Sequence, residues 1–146
     1  MEKNTKKSLL FLAAAAVTVL NFQSCGKYED GPGFSLRTKK ARLTGEWELV
    51  KINGQTPENY YGVSSFNQTW EIEGNGDCKL SASLSYYGQN ISYTYDGEWE
   101  WEDNKEAISI DLDNSSSKIE LEIKRLTNKE LTVEDEDNDE YEFEKK

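Results

Sequence analysis

Between residues 43 and 143 the chain alternates apolar and polar positions with a period of two, the mark of strands buried on one face and wetted on the other. Trp47 and Leu49 stand against Glu46 and Glu48. Phe66, Trp70 and Ile72 share a parity against Thr69, Glu71 and Glu73. Cys78, Leu80, Ala82, Leu84 and Tyr86 face one way, with Lys79, Ser81, Ser83 and Ser85 opposite. Ile91, Tyr93, Tyr95, Trp99 and Trp101 then hold one parity, with Gly97 as a candidate bulge. Ile108, Ile110 and Leu112, then Ile119, Leu121 and Ile123, then Leu131 with Val133 and Tyr141 with Phe143 complete the series. The pattern predicts eight strands and, from Leu43 onward, no helix.

Gly74-Asn75-Gly76-Asp77, Gly88-Gln89-Asn90 and Asp103-Asn104 supply turn chemistry between the runs. Eight antiparallel strands joined mostly by short turns predict an all-β meander that closes into a small barrel. A barrel of that size is filled by its own side chains or holds one small ligand. Residues 53–65 form the exception among the connections, being long, carrying Pro57, and presenting Tyr60 and Tyr61. Long loops in compact β domains tend to be functional.

The N-terminal region reads differently. Lys3, Lys6 and Lys7 precede an uncharged run over residues 9–20. That run is too short for a transmembrane helix, which takes about 20 residues, but it suits the apolar core of a signal peptide. It ends in Asn21-Phe22-Gln23-Ser24-Cys25, with a small residue before the cysteine. The sequence therefore predicts a signal peptide over residues 1–24 and a tether over residues 25–42, rich in Gly, Pro and charge. The folded domain is expected over residues 43–146.

Composition narrows the chemistry. The 146 residues carry a net charge of −11 and contain no histidine. Triads built on histidine and histidine metal sites are excluded at once. The acidic balance also argues against nucleic acid, whose phosphates are bound by displacing counterions with Lys and Arg. Removal of residues 1–24, with one acid and three lysines, leaves −13. Cys78 is then expected to be a buried, inert thiol rather than the partner of Cys25 in a disulfide.

The segment ending at Cys25 resembles a bacterial lipoprotein signal of the Bacteroidota type, although Phe22 stands where leucine is usual. The resemblance implies that Cys25 receives the lipid, palmitate included, and holds the protein on the outer membrane. Lys27-Tyr28-Glu29-Asp30 resembles the charged signals that send such proteins to the cell surface. Arg37, Lys39, Lys40 and Arg42 form a basic cluster, read first as a solvated linker and second as a contact for anionic headgroups. Further along, Gly45-Glu46-Trp47 resembles the Gly-x-Trp of lipocalins, whose tryptophan plugs the closed end of the barrel. With LTGEWELVKINGQ and DGEWEW, residues 43–146 are similar to lipocalin-like domains of bacterial lipoproteins. The chain departs from true lipocalins in lacking their disulfide and a helix after the eighth strand.

Candidate binding residues are the aromatic side chains Trp70, Tyr93, Tyr95, Trp99 and Trp101, with Tyr60 and Tyr61 as a rim. The competing account is that the inward aromatics fill the barrel, since each buries about 150–250 Å². Glu98, Glu100, Glu102, Glu120 and Glu122 alternate with apolar residues and are expected on the wet face, where nothing raises a carboxyl pKa for acid catalysis. The acidic run at residues 135–140 starts like a calcium loop, but Glu140 and Lys146 stand where glycine and glutamate would be needed. No glycine-rich phosphate loop or metal-spaced cysteine set is present, so no cofactor or metal is expected. The resulting expectation is a monomeric, non-catalytic, membrane-anchored protein that binds a small apolar or glycan-like ligand at the open end. The rival is a cell-surface interaction or structural module with a filled barrel.

Overall fold

A computed structural model describes residues 36–146. The strands are β1 (Gly45–Ile52), β2 (Ser65–Ile72), β3 (Asp77–Tyr86), β4 (Gln89–Glu102), β5 (Ala107–Leu112), β6 (Ile119–Leu126), β7 (Glu130–Glu134) and β8 (Glu140–Lys145). Each pairs antiparallel with the next, and β8 pairs back onto β1, giving the closed eight-stranded barrel that the periodicity predicts. Closure removes the two sheet edges that an open meander would leave.

Register carries the single apolar parity around the whole wall. Trp47 lies opposite Trp70, Trp70 opposite Leu80, and Leu80 opposite Tyr95. Trp99 faces Ile110, Ile108 faces Leu121, and Leu131 faces Phe143. Trp47, Ile52, Ile108, Leu126, Leu131 and Val133 are fully buried. Among the described strand residues this inward register holds one charged side chain, Lys145.

Three local features differ from the sequence reading. Gly97 is not a bulge: it pairs regularly with Cys78 on one side and Leu112 on the other. A Cβ there would stand 2.9 Å from Leu112 Cα and collide with the Asp111 carbonyl oxygen, so the glycine permits close approach of two backbones. The register shifts fall instead between Leu49 and Lys51 and between Ile123 and Arg125. Each lets the inward parity jump by three residues, to Ile52 and to Leu126.

The second difference lies in the long first connection, which contains a one-turn helix, α2 (Pro57–Tyr61). Proline at its start has no N–H to lose, and Gly62 ends it in the left-handed region at φ 66°. Five residues are too few for a helical period to show. Third, the basic stretch before the barrel is partly folded. Thr38 Oγ1 accepts a hydrogen bond from the Ala41 N–H and caps α1 (Lys39–Leu43), whose Leu43 is fully buried.

Helix α1 covers one end of the barrel, called here the closed end. The Trp47 indole N–H donates to the Leu43 carbonyl at 2.7 Å. The Lys145 ammonium lies 4.7 Å from the Trp47 ring centroid and donates to the carbonyls of Arg42 and Thr44, both at 2.7 Å. Burial pulls its pKa below the ordinary lysine range, with the Arg37 charge adding to the effect. Arg42 donates to the Leu126 carbonyl. These bonds fix the helix as a lid on that end.

Candidate functional site at the open end

Strand direction places residues 53–64, 87–88, 113–118 and 135–139 at the opposite, open end. What shapes this mouth is a mismatch in strand length. β4 has 14 residues, but β5 has six and pairs only with the stretch from Gly97 to Glu102. The earlier part of β4 therefore rises with β3 beyond the neighbouring wall, and its inward side chains lose their covering layer. Tyr93 and Tyr95 are consequently 38% and 44% exposed although they share the parity of buried Trp99. Ile91 is half exposed for the same reason.

The first connection closes over the mouth from the other side. Tyr60 and Tyr61 meet edge to face with ring centroids 5.1 Å apart, and Tyr61 lies 4.8 Å from Phe66. Tyr93 and Tyr95 are 5.6 Å apart. Tyr61 feels the charges of Tyr60, Tyr93 and Asp139, after burial, in having its phenol held above the ordinary range. Tyr141 stands near the start of β8 at the same end, so tyrosines from three elements gather there.

Two carboxylates hold this cluster. The Tyr60 hydroxyl donates to Asp139 Oδ2 at 3.1 Å, and the Tyr141 hydroxyl donates to Asp135 Oδ2 at 2.9 Å. Asp139 Oδ1 also accepts from Asn53 Nδ2 at 2.6 Å, tying the β7–β8 turn to the end of β1. Asp135 Oδ1 accepts the backbone N–H groups of Asp137 and Asp139 within its own turn. The hydrogen bond to Asp139 holds the Tyr60 phenol up; for Tyr141 burial is the larger cause and the bond to Asp135 the second.

The candidate residues thus divide by height in the barrel. Tyr60, Tyr61, Tyr93 and Tyr95 lie at the mouth. Trp70 is buried inside the wall, its ring 4.4 Å from Phe143 and its indole N–H without an acceptor among the described residues. Trp99 and Trp101 pack edge to face near the closed end, where the Trp99 N–H donates to the Glu73 carbonyl at 2.8 Å. Phe66, Tyr141, Asp135 and Asp139 join the mouth without having been singled out in the sequence. Their inward parity or acidity was visible, but their mutual proximity is set by barrel closure.

Other chemistry is sparse. Cys78 is buried in the wall, and burial, reinforced by Asp77, pushes its thiol up to about 11. Glu98, Glu100, Glu102, Glu120 and Glu122 are exposed on the outside. Lys118, 2.6 Å away, holds the Glu100 carboxyl below the ordinary range, opposite to the need of a general acid. Two outer depressions of about 290 and 320 Å³ adjoin the β2–β3 turn; carboxylates make up most of the lining of the larger, and the smaller mixes carboxylates with Lys118 and neutral residues. No cluster of three or more metal-capable side chains occurs among the described residues. No helix among them is long and apolar enough to cross a membrane. Cys25 and the Lys27–Asp30 run lie outside the described residues.

No family model matches the chain, and no curated protein does. The barrel is similar to a solved structure. That structure is a lipocalin-like protein from Bacteroides uniformis, 20% identical, with a TM-score of 0.49. The match covers 72% of this chain and 99% of the other.

Proposed function

We propose that this chain is a lipid-anchored, exported protein whose barrel binds a small apolar or glycan-like ligand at the open end, without catalysis. The observation that carries the reading is the break in the wall beside β4. Side chains of the core parity, Ile91, Tyr93 and Tyr95, stand exposed there, with Phe66 two strands away on the same wall and Tyr61 packed on Phe66. Large aromatic rings on a concave, partly solvated surface are suited to flat apolar groups or sugar rings. On the same inner face, Trp70 offers a buried N–H that has no acceptor among the described residues. Leaving such a donor unmet costs about 1–3 kcal/mol, which a polar atom of a ligand would offset.

Acylation of Cys25, and with it attachment to the outer membrane and display on the cell surface, belongs to the same proposal and rests on the signal-like segment that ends there. Incorporation of labelled palmitate that disappears in Cys25→Ala supports the anchor; labelling that persists in the variant rejects it. For the site, saturable quenching of intrinsic fluorescence by a neutral aromatic or an oligosaccharide, weakened in Tyr93→Ala, is the expected result. Non-saturating response to both classes would reject the mouth as a binding site.

The rival reading, a surface interaction module, has its own supporting observation. Among the described residues the outer edge of β4 between Gln89 and Tyr95 has no neighbouring strand, and residues 80–95 carry no charge in a chain that is 31% charged. Such an edge can add a strand from a partner. Concentration-dependent self-association abolished by a charge at Ser92 would favour it.

A further inference from the structure

We infer that the mouth selects a ligand carrying a positive charge next to its apolar part, and rejects anionic amphiphiles such as fatty acids. The inference rests on the ligand-binding reading above and specifies what that site takes. Its basis is the distribution of charge around the aromatic cluster.

Asp135 and Asp139 stand at the rim, and each is held by neutral donors: tyrosine hydroxyls, the Asn53 amide and backbone N–H groups. Among the described residues neither forms an ion pair with Lys or Arg, so both negative charges stay uncompensated beside the rings. Glu136 and Asp137 add two more in the same turn. The nearby cations point outward and are already paired: Lys51 with Glu142 at 3.2 Å and Lys118 with Glu100 at 2.6 Å. Lys145, the one charged side chain of the inward register among the described strand residues, lies at the closed end against Trp47. An anionic headgroup entering the mouth would meet Asp135 and Asp139 beside the rings and, among the described residues, no opposing charge.

The rings themselves favour a cation. The negative face of a phenol attracts an ammonium group within about 6 Å of its centroid. Tyr60 and Tyr141 both donate their protons toward carboxylates, which leaves their rings richer in electrons than a free phenol. Tyr61 and Phe66, packed on one another beside Tyr60, add apolar walls. A quaternary or protonated amine with an attached ring or chain satisfies both halves of the site.

Three probes of one shape separate the contributions: phenyltrimethylammonium, its neutral isostere tert-butylbenzene, and benzenesulfonate as an anion. The protein is the full chain with Cys25→Ser, which leaves every described residue unchanged, and the readout is amide NMR shifts at Tyr61 and Tyr93. The expected order is cation, neutral, anion, with the cation about three- to tenfold tighter than the isostere. Asp139→Asn, which keeps an acceptor for Tyr60, should narrow that gap, as should raising the salt in the unmodified site. Equal or tighter binding of tert-butylbenzene would overturn the charge preference while leaving the mouth as the site. Failure of all three to shift these residues would overturn the mouth reading and this inference together.

Discussion

Replacing Gly97 with alanine tests the architecture at the point where β4 parts from β5. Gly97 does not adopt the left-handed backbone that would itself demand glycine. On conformational grounds alone, alanine in mid-strand should therefore stabilise the protein by about 0.5–1 kcal/mol, because glycine loses more freedom on folding. The structure predicts the opposite sign. The new methyl would lie 2.9 Å from Leu112 Cα, 3.1 Å from the Asp111 carbonyl carbon and closer still to its oxygen. All three contacts are backbone, so no side chain can swing aside, and β5 must move. Overpacking of this kind costs about 1–3 kcal/mol, enough to outweigh the entropic gain. A net loss of about 1–2 kcal/mol corresponds to roughly 4–8 °C in Tm for a domain of this size. Urea denaturation followed by tryptophan fluorescence reads the change as a fall in midpoint at unchanged slope. A Gly97→Ala variant as stable as the parent, or more so, would refute the close approach of β4 and β5.

Further outcomes follow from the closed end and the wall. Trp99→Phe, which loses the hydrogen bond to the Glu73 carbonyl, should destabilise by about 1 kcal/mol in the same denaturation assay. Lys145→Met removes the donor to the Arg42 carbonyl of α1 and the Thr44 carbonyl that follows it, and the cation over Trp47, and should cost about 1–3 kcal/mol and expose the Lys39–Leu43 amides to hydrogen exchange. Cys78 should resist a thiol reagent at pH 8 in the folded protein and react on unfolding. Its folded pKa, near 11, lies above the value of about 9 in the unfolded chain. The unfolded state thus loses this proton first, and the contribution is present below pH 9 and lost as pH rises toward 11. The stability difference between the parent and Cys78→Ala should accordingly shrink by about 2 kcal/mol across that window.

The strands were legible because a closed barrel imposes one rule everywhere: core residues share a parity. Trp47, Trp70, Cys78, Ile110 and Phe143 obey it, so strand number, order and inner face could be read directly. Bulges were harder, since Gly97 looked like an irregularity while the true shifts sit at Val50 and Lys124, where ordinary residues occupy them. The short helices at Lys39–Leu43 and Pro57–Tyr61 are each a single turn, too brief for a helical repeat to show in the sequence. The candidate site was half legible for a related reason. Parity groups Tyr93, Tyr95, Trp99 and Trp101 together, but only strand pairing reveals that β5 covers the last two and leaves the first two open. Asp135 and Asp139 were visible as a turn, whereas their contacts with Tyr141 and Tyr60 depend on where β8 closes the barrel.

The central claim is that a small molecule enters the barrel at the open end. Amide and aromatic NMR of the isotopically labelled chain during titration with phenyltrimethylammonium tests it most directly. Saturable shifts grouped at Tyr61, Phe66, Tyr93 and Tyr95, with the Trp99 and Trp101 indoles unmoved, are the predicted result. Shifts confined to the outer wall, or none that saturate, would contradict it.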